Sequence, residues 1–162
     1  MTMQAAPTSV ATSIVVEAPP ERAFSVFTEG IGTWWPQGHH LFEGELAEMV
    51  FEPRAGGRVF DRMSDGRECA WARVLEYEAP RRFVMSWDID PSWQLEADPQ
   101  RTSEVEVRFV PEGPGRTRVE LEHRNLERHG EGWDEMRAAV GAPDGWGHIL
   151  REFAGAAPLR QE

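Results

Sequence analysis

Apolar positions follow a helical period most clearly near the end of the chain. Trp146, Ile149, Leu150, Phe153, Ala154 and Ala157 fall at i, i+3, i+4, i+7, i+8 and i+11, one continuous stripe on an α-helix over residues 144–157. Pro143 and Asp144 precede the stripe, and the Asp144 side chain is placed to cap the first free N–H groups. Most of the chain before this point alternates as strands do. The β-branched run 12–17 predicts a first strand, stopped by Pro19 and Pro20. From Pro20 the period turns helical, with Ala23, Phe24, Val26 and Phe27 on the apolar side, and Gly30 and Gly32 end it. Ile31, Trp34 and Trp35 then make a short second helical turn closed by Pro36.

Strands follow over 44–52, 58–63, 67–78, 82–88, 102–110 and 116–124. The stretch 53–57 is a turn whose glycines supply positive φ, and Ser64-Asp65-Gly66 is a hairpin turn. The clearest pair is the last, where Val105, Val107 and Phe109 and then Val119, Leu121 and His123 alternate with polar or charged residues. Strands 44–52 and 67–78 do not alternate cleanly, which leaves their registers, and the facing of Glu48, Asp61 and Arg73, open. Residues 90–101 form the longest irregular segment and fit a lid or a plain hairpin extension. Trp133, Met136 and Val140 mark a short helix closed by Gly141 and Pro143. Residues 1–11 read as a tail and 12–157 as one α+β domain. In it an antiparallel sheet of about seven strands, each with one apolar face, is covered by the terminal helix.

Composition narrows the partners. The 162 residues carry a net charge of −11 with arginine as the only strong base, a surface that repels nucleic-acid phosphates and anionic lipid. No apolar run approaches the ~20 residues needed to cross a bilayer, and the first residues lack the pattern of a signal peptide. The single cysteine, Cys69, excludes an internal disulfide and suits a cytoplasmic location. Seven tryptophans against one tyrosine supply large aromatic walls, for a core or for an apolar pocket.

The element order, together with particular segments, resembles the helix-grip fold of the START/Bet v-type (SRPBCC) superfamily, and within it the family related to the activator of Hsp90 ATPase. The segments are Ala18-Pro-Pro-Glu-Arg-Ala-Phe after the first strand, Trp34-Trp35, the turn Pro53-Arg54-Ala55-Gly56-Gly57-Arg58, the stretch Glu78-Ala79-Pro80-Arg81-Arg82-Phe83 through Trp87, and Gly145-Trp146. Residues 127–142 depart from the shorter relatives by adding a helix before the Gly-Trp pair. The resemblance implies a cavity between the concave sheet and the terminal helix. It also implies a chaperone-cofactor role, which in those relatives normally needs an additional N-terminal domain.

Alternation faces Phe83, Met85, Trp87, Val105, Val107, Phe109, Val119, Leu121 and His123 inward. From these and the helical stripes, the candidate ligand-binding set is Trp34, Trp35, Trp71, Met85, Trp87, Phe109, His123, Trp146 and Phe153, although filling the core is the commoner role for any one such residue. His123, among apolar neighbours, is either a hydrogen-bonded core residue or a group that orients a ligand or takes its proton. His39 and His40 sit at a plausible pocket mouth, whereas His129 and His148 read as surface or helix-flank residues. No zinc spacing, nucleophile elbow or phosphate loop is present, so neither a metal nor a cofactor is expected. The leading expectation is non-catalytic binding of a hydrophobic or aromatic small molecule. The alternatives are a chaperone-cofactor or protein-interaction domain and an enzyme resembling a polyketide cyclase or dehydratase. The apolar strand edges allow a homodimer without demanding one.

Overall fold

The computed structural model describes residues 8–36 and 41–158. The strands β1 (Val10–Val16), β2 (Leu46–Phe51), β3 (Arg58–Met63), β4 (Glu68–Glu78), β5 (Arg82–Trp87), β6 (Ser103–Gly113) and β7 (Arg116–Arg124) form one antiparallel sheet in the order β1-β7-β6-β5-β4-β3-β2. The helices are α1 (Pro20–Phe27), α2 (Trp133–Val140) and α3 (Trp146–Ala156), with short 3-10 turns at Ile31–Thr33, Pro99–Arg101 and Leu126–His129. The sheet curls into a half-barrel and α3 lies in its concavity, which is the helix-grip arrangement. No helix among the described residues is long and apolar enough to cross a membrane.

Most elements stand where periodicity places them. Trp146, Ile149, Leu150 and Phe153 of α3 are all buried, each worth about 1.5–3 kcal/mol of transfer free energy. The free carbonyls at the end of α3 find a partner across the fold: Arg22 of α1 donates from Nε to the Ala157 carbonyl at 2.9 Å. At its start the cap residue is Gly145 rather than Asp144, and a glycine has no side chain to serve as a cap. The strand β1 begins at Val10, opposite His123, so Val10 and Ala11 are paired where a tail is expected.

The two ambiguous registers are explained by bulges. Pairing slips between Leu46 and Glu48 on β2, between Val59 and Phe60 against β4, and between Val74 and Glu76 on β4. Each extra residue reverses the facing of the positions beyond it on that strand. In the turn before β3, Gly56 has φ +87°, but Gly57 is required for closeness: a Cβ there would lie 2.7 Å from the Glu52 carbonyl oxygen.

The outer face of the sheet is drier than simple alternation predicts, because Val84 and Ser86 of β5 are as buried as Met85 and Phe83. Arg82 ion-pairs with Glu76 and Glu106, the two residues that flank Val84 in the neighbouring strands. Arg124 joins Glu104, Glu106 and Glu122 next to it. These ion pairs form a network of arginines and glutamates on the outer face of the sheet beside β5.

Candidate functional site

Four tryptophans from four separate elements close a ring inside the concavity. Trp35 follows the first 3-10 turn, Trp71 sits at the bulge of β4, Trp87 ends β5 and Trp146 opens α3. Ring centroids are 5.3 Å apart for Trp35–Trp71, 5.8 Å for Trp71–Trp87, 5.5 Å for Trp87–Trp146 and 6.1 Å for Trp146–Trp35. Two of these contacts are near-perpendicular edge-to-face pairs, at 74° for Trp71–Trp87 and 81° for Trp146–Trp35, a geometry the ring quadrupoles favour.

A polar chain runs from one side of this ring into the core. Trp146 Nε1–H donates to His123 Nδ1 at 3.0 Å. An indole nitrogen only donates, so His123 Nδ1 carries its lone pair and the ring proton sits on Nε2. That Nε2–H donates to Ser103 Oγ at 2.7 Å. The Ser103 hydroxyl proton is then available to His129 Nε2, also 2.7 Å away. His129 Nδ1 and Trp87 Nε1 are buried without a hydrogen-bond partner. Burial, reinforced by the nearby His129, pushes the His123 imidazole down to about 3. Burial also lowers His129, against the opposing pull of Glu96 and Asp90. Both rings are therefore neutral at physiological pH.

Two clefts flank the tryptophan ring. The larger, about 690 Å³, opens beside Trp34 and Trp35 and is rimmed by Glu45, Leu46, Met49 and Glu152. The smaller, about 220 Å³, lies on the opposite side against Trp87, Trp146 and Ile149. Its floor depends on Gly145, where any Cβ would stand 2.3 Å from the Val140 carbonyl oxygen. Without a side chain at that position the end of α2 abuts the start of α3, which aims Trp146 inward.

The nine residues expected at the site are all buried, and they separate into two groups. Trp35, Trp71, Trp87, Trp146 and His123 share the ring and its polar chain, and Trp34 contacts both Trp35 and Phe153. Phe109 instead stacks among Phe24, Phe27 and Phe83, while Met85 lies between Val74 and Val105 in register. Of the three residues whose facing was open, Asp61 points inward and accepts from Trp71 Nε1 at 3.3 Å. Glu48 pairs outside with Arg62, and Arg73 forks onto Asp88 at 3.0 and 3.1 Å. Cys69, in register with Asp61, is fully buried, and its thiol is pushed up to about 12 by burial and by that carboxylate.

His129 corrects the sequence reading. It is fully buried, because Asn125 at φ +62° turns the chain back and the 3-10 turn after it points Leu126 and His129 the same way. His148 is half-buried on the flank of α3 as expected. His39 and His40 lie outside the described residues. Ser103 is the residue that sequence reasoning missed. Its signal was present: it continues the inward alternation of Val105, Val107 and Phe109 by one step.

The model for a family described as activator of Hsp90 ATPase homolog 1-like protein matches residues 17–157. No curated protein matches the sequence. Among solved structures, the chain is 44% identical to Txn09, an anthrahydroquino-γ-pyrone synthase solved in complex with SUM, over 93% of this chain and 96% of that one, with a TM-score of 0.65. CalC from Micromonospora echinospora, a self-sacrificing resistance protein, is 29% identical over 93% and 94% of the two chains, with a TM-score of 0.67. CalU16 from the same organism is 27% identical over 91% of this chain and 74% of its own, with a TM-score of 0.54.

Proposed function

Because the chain belongs to the activator of Hsp90 ATPase homolog 1-like family, we propose that it holds a polycyclic aromatic, polyketide-type molecule against its tryptophan ring and closes an oxygen heterocycle on it by acid–base chemistry. The observation that carries this reading is the meeting of two imidazoles, His123 and His129, on the single buried hydroxyl of Ser103, beside aromatic walls. Pure binding needs apolar walls but no such chain. The 44% identity to an anthrahydroquino-γ-pyrone synthase favours the catalytic alternative and suggests the product class.

The chemistry needs only proton movement. A substrate phenol is a stronger hydrogen-bond donor than an indole, so it displaces Trp146 from His123 Nδ1. His123 Nδ1 takes the phenol proton as its Nε2–H passes to Ser103 and the Ser103 proton passes to His129 Nε2. The positive charge thus comes to rest on His129, where Glu96 and Asp90 favour it, and not on His123, where burial opposes it. The phenol oxygen bonds to a ketone carbon of the side chain, the carbonyl electron pair moves to its oxygen, and the proton is returned there. Loss of the adjacent acidic C–H proton then expels that hydroxyl as water and leaves the pyrone double bond. Atoms and electrons balance without an oxidant or reductant.

The test uses 1-hydroxyanthraquinone carrying a 1,3-diketone chain beside the hydroxyl, reduced to the hydroquinone with dithionite. Loss of one water is tracked by liquid chromatography and mass spectrometry. The protein is expected to accelerate closure over buffer, and His123→Leu to lose about 10²-fold or more of that acceleration. Tight binding with a rate equal to buffer would reduce the function to non-catalytic binding.

A further inference from the structure

The loop 88–101 holds a large aromatic side chain where stability alone gives it no reason to be. Trp93 has φ +61°, a left-handed backbone that costs a bulky residue free energy, and its side chain is 45% exposed. The loop around it is firmly built. Asp90 Oδ1 accepts from the Ser92 and Gln94 amides at 2.8 and 3.0 Å, Trp93 N–H donates to the Asp90 carbonyl at 2.8 Å, and Ile89 bridges Leu95. On the other side Pro91 packs so closely on the start of α2 that a Cβ at Gly132 would lie 2.9 Å from it. The backbone that carries this half-exposed ring is thus fixed, at a cost, and the ring lines the 220 Å³ cleft together with Trp87 and Trp146. Trp87, which lines the same cleft, keeps its Nε1–H buried with no acceptor, a state that costs about 1–3 kcal/mol.

We propose that Trp93 and the Trp87–Trp146 pair are the two jaws of a clamp for one end of a flat aromatic ligand, whose ring oxygen accepts the hydrogen bond of Trp87 Nε1–H. The cleft is smaller than the ~300–1,000 Å³ of a site that encloses a whole drug-sized ligand, so it takes the end of a fused ring system while the rest lies outside. Val140 and Ile149 line it with apolar surface, on which a charged group would lose its hydration. That combination selects a neutral quinone carbonyl or phenol over a carboxylate. The proposal rests on the aromatic-ligand reading above and specifies which side of the ring receives the ligand.

The probe is 1,8-dihydroxyanthraquinone, with affinity read by quenching of tryptophan fluorescence. Trp93→Gly removes a jaw and the backbone strain together. It is expected to weaken binding ten-fold or more while the thermal midpoint stays level or rises. Trp87→Phe keeps a ring but no donor and is expected to weaken binding about five- to ten-fold. In the unmodified, ¹⁵N-labelled protein, the indole cross-peak that Trp87→Phe identifies should move downfield on saturation. Unchanged affinity in both variants, or a still cross-peak, overturns the clamp. Wild-type protein that still binds the probe and closes the pyrone in that case leaves the proposed function standing. Failure of the wild type to bind the probe and to turn over sinks both.

Discussion

Replacing Trp146 by phenylalanine separates the polar duty of this residue from its bulk. Trp146 is 1% exposed and donates its indole N–H to His123 Nδ1. In Trp146→Phe the acceptor is stranded in a fully buried site, at about 1–3 kcal/mol, and the smaller ring leaves a void that adds about 1 kcal/mol. We expect a total loss of about 2–4 kcal/mol. Full truncation to alanine removes more volume at about 3–5 kcal/mol and confounds the two effects. The decisive experiment is a double-mutant cycle with His123→Leu, measured by urea unfolding near neutral pH with the slope m checked for constancy. If the bond is as described, the double variant loses less than the sum of the singles by about 1–2 kcal/mol, because no stranded acceptor remains. Additivity within about 0.3 kcal/mol would refute the reasoning and make Trp146 a packing residue only.

The same geometry bears on acid stability, thiol reactivity and two glycines. His123 titrates near 6.5 when unfolded but is held down to about 3 when folded, so below about 6.5 the unfolded chain binds more protons. Stability should therefore fall as pH drops from about 6.5 towards 3, by up to ~1.4 kcal/mol per pH unit from this group, and His123→Leu should flatten that slope. Cys69 is buried with its thiol raised to about 12, so a thiol-specific disulfide reagent should leave it untouched in native protein and titrate it fully in denaturant. Gly145→Ala should destabilise by several kcal/mol, on the order of 2–4, given the 2.3 Å approach to the Val140 oxygen. Gly155→Ala, with nothing within 4 Å of the added Cβ, should instead stabilise α3 by about 0.5 kcal/mol in thermal unfolding.

Sequence periodicity reached the fold because its signals are local. The stripe of α3 and the alternation of β6 and β7 each need only a few neighbouring residues to be visible, and the six stripe positions from Trp146 to Ala157 state one face without reference to anything else. Most of the departures involve partners outside the local sequence window. Val84 and Ser86 are buried on a sheet face where Arg82, Arg124 and glutamates of neighbouring strands form ion pairs, an arrangement no alternation rule contains. His129 is brought inward by a reversal at Asn125, and its partner Ser103 belongs to a different element. Gly145 rather than Asp144 takes the cap position, where it is packed against the end of α2. The tryptophan ring was legible as a set of inward residues, but its closure depends on the β4 bulge at Trp71, an irregularity that has no local code.

The strand order also dictates when the molecule can be finished during synthesis. The strands from β2 to β7 can pair one after another as each leaves the ribosome, since each lies beside its predecessor. The first strand cannot: Val10 pairs with His123, so β1 and the α1 segment after it wait through nearly the whole of translation. Trp146 comes later still, with the helix that covers the concave face. Until β1 docks the growing sheet keeps an unpaired strand edge, and until α3 arrives it keeps an apolar face, states open to chaperone capture or aggregation. Slow translation just before Trp146 would prolong that window, and a pre-folded α3 would shorten it.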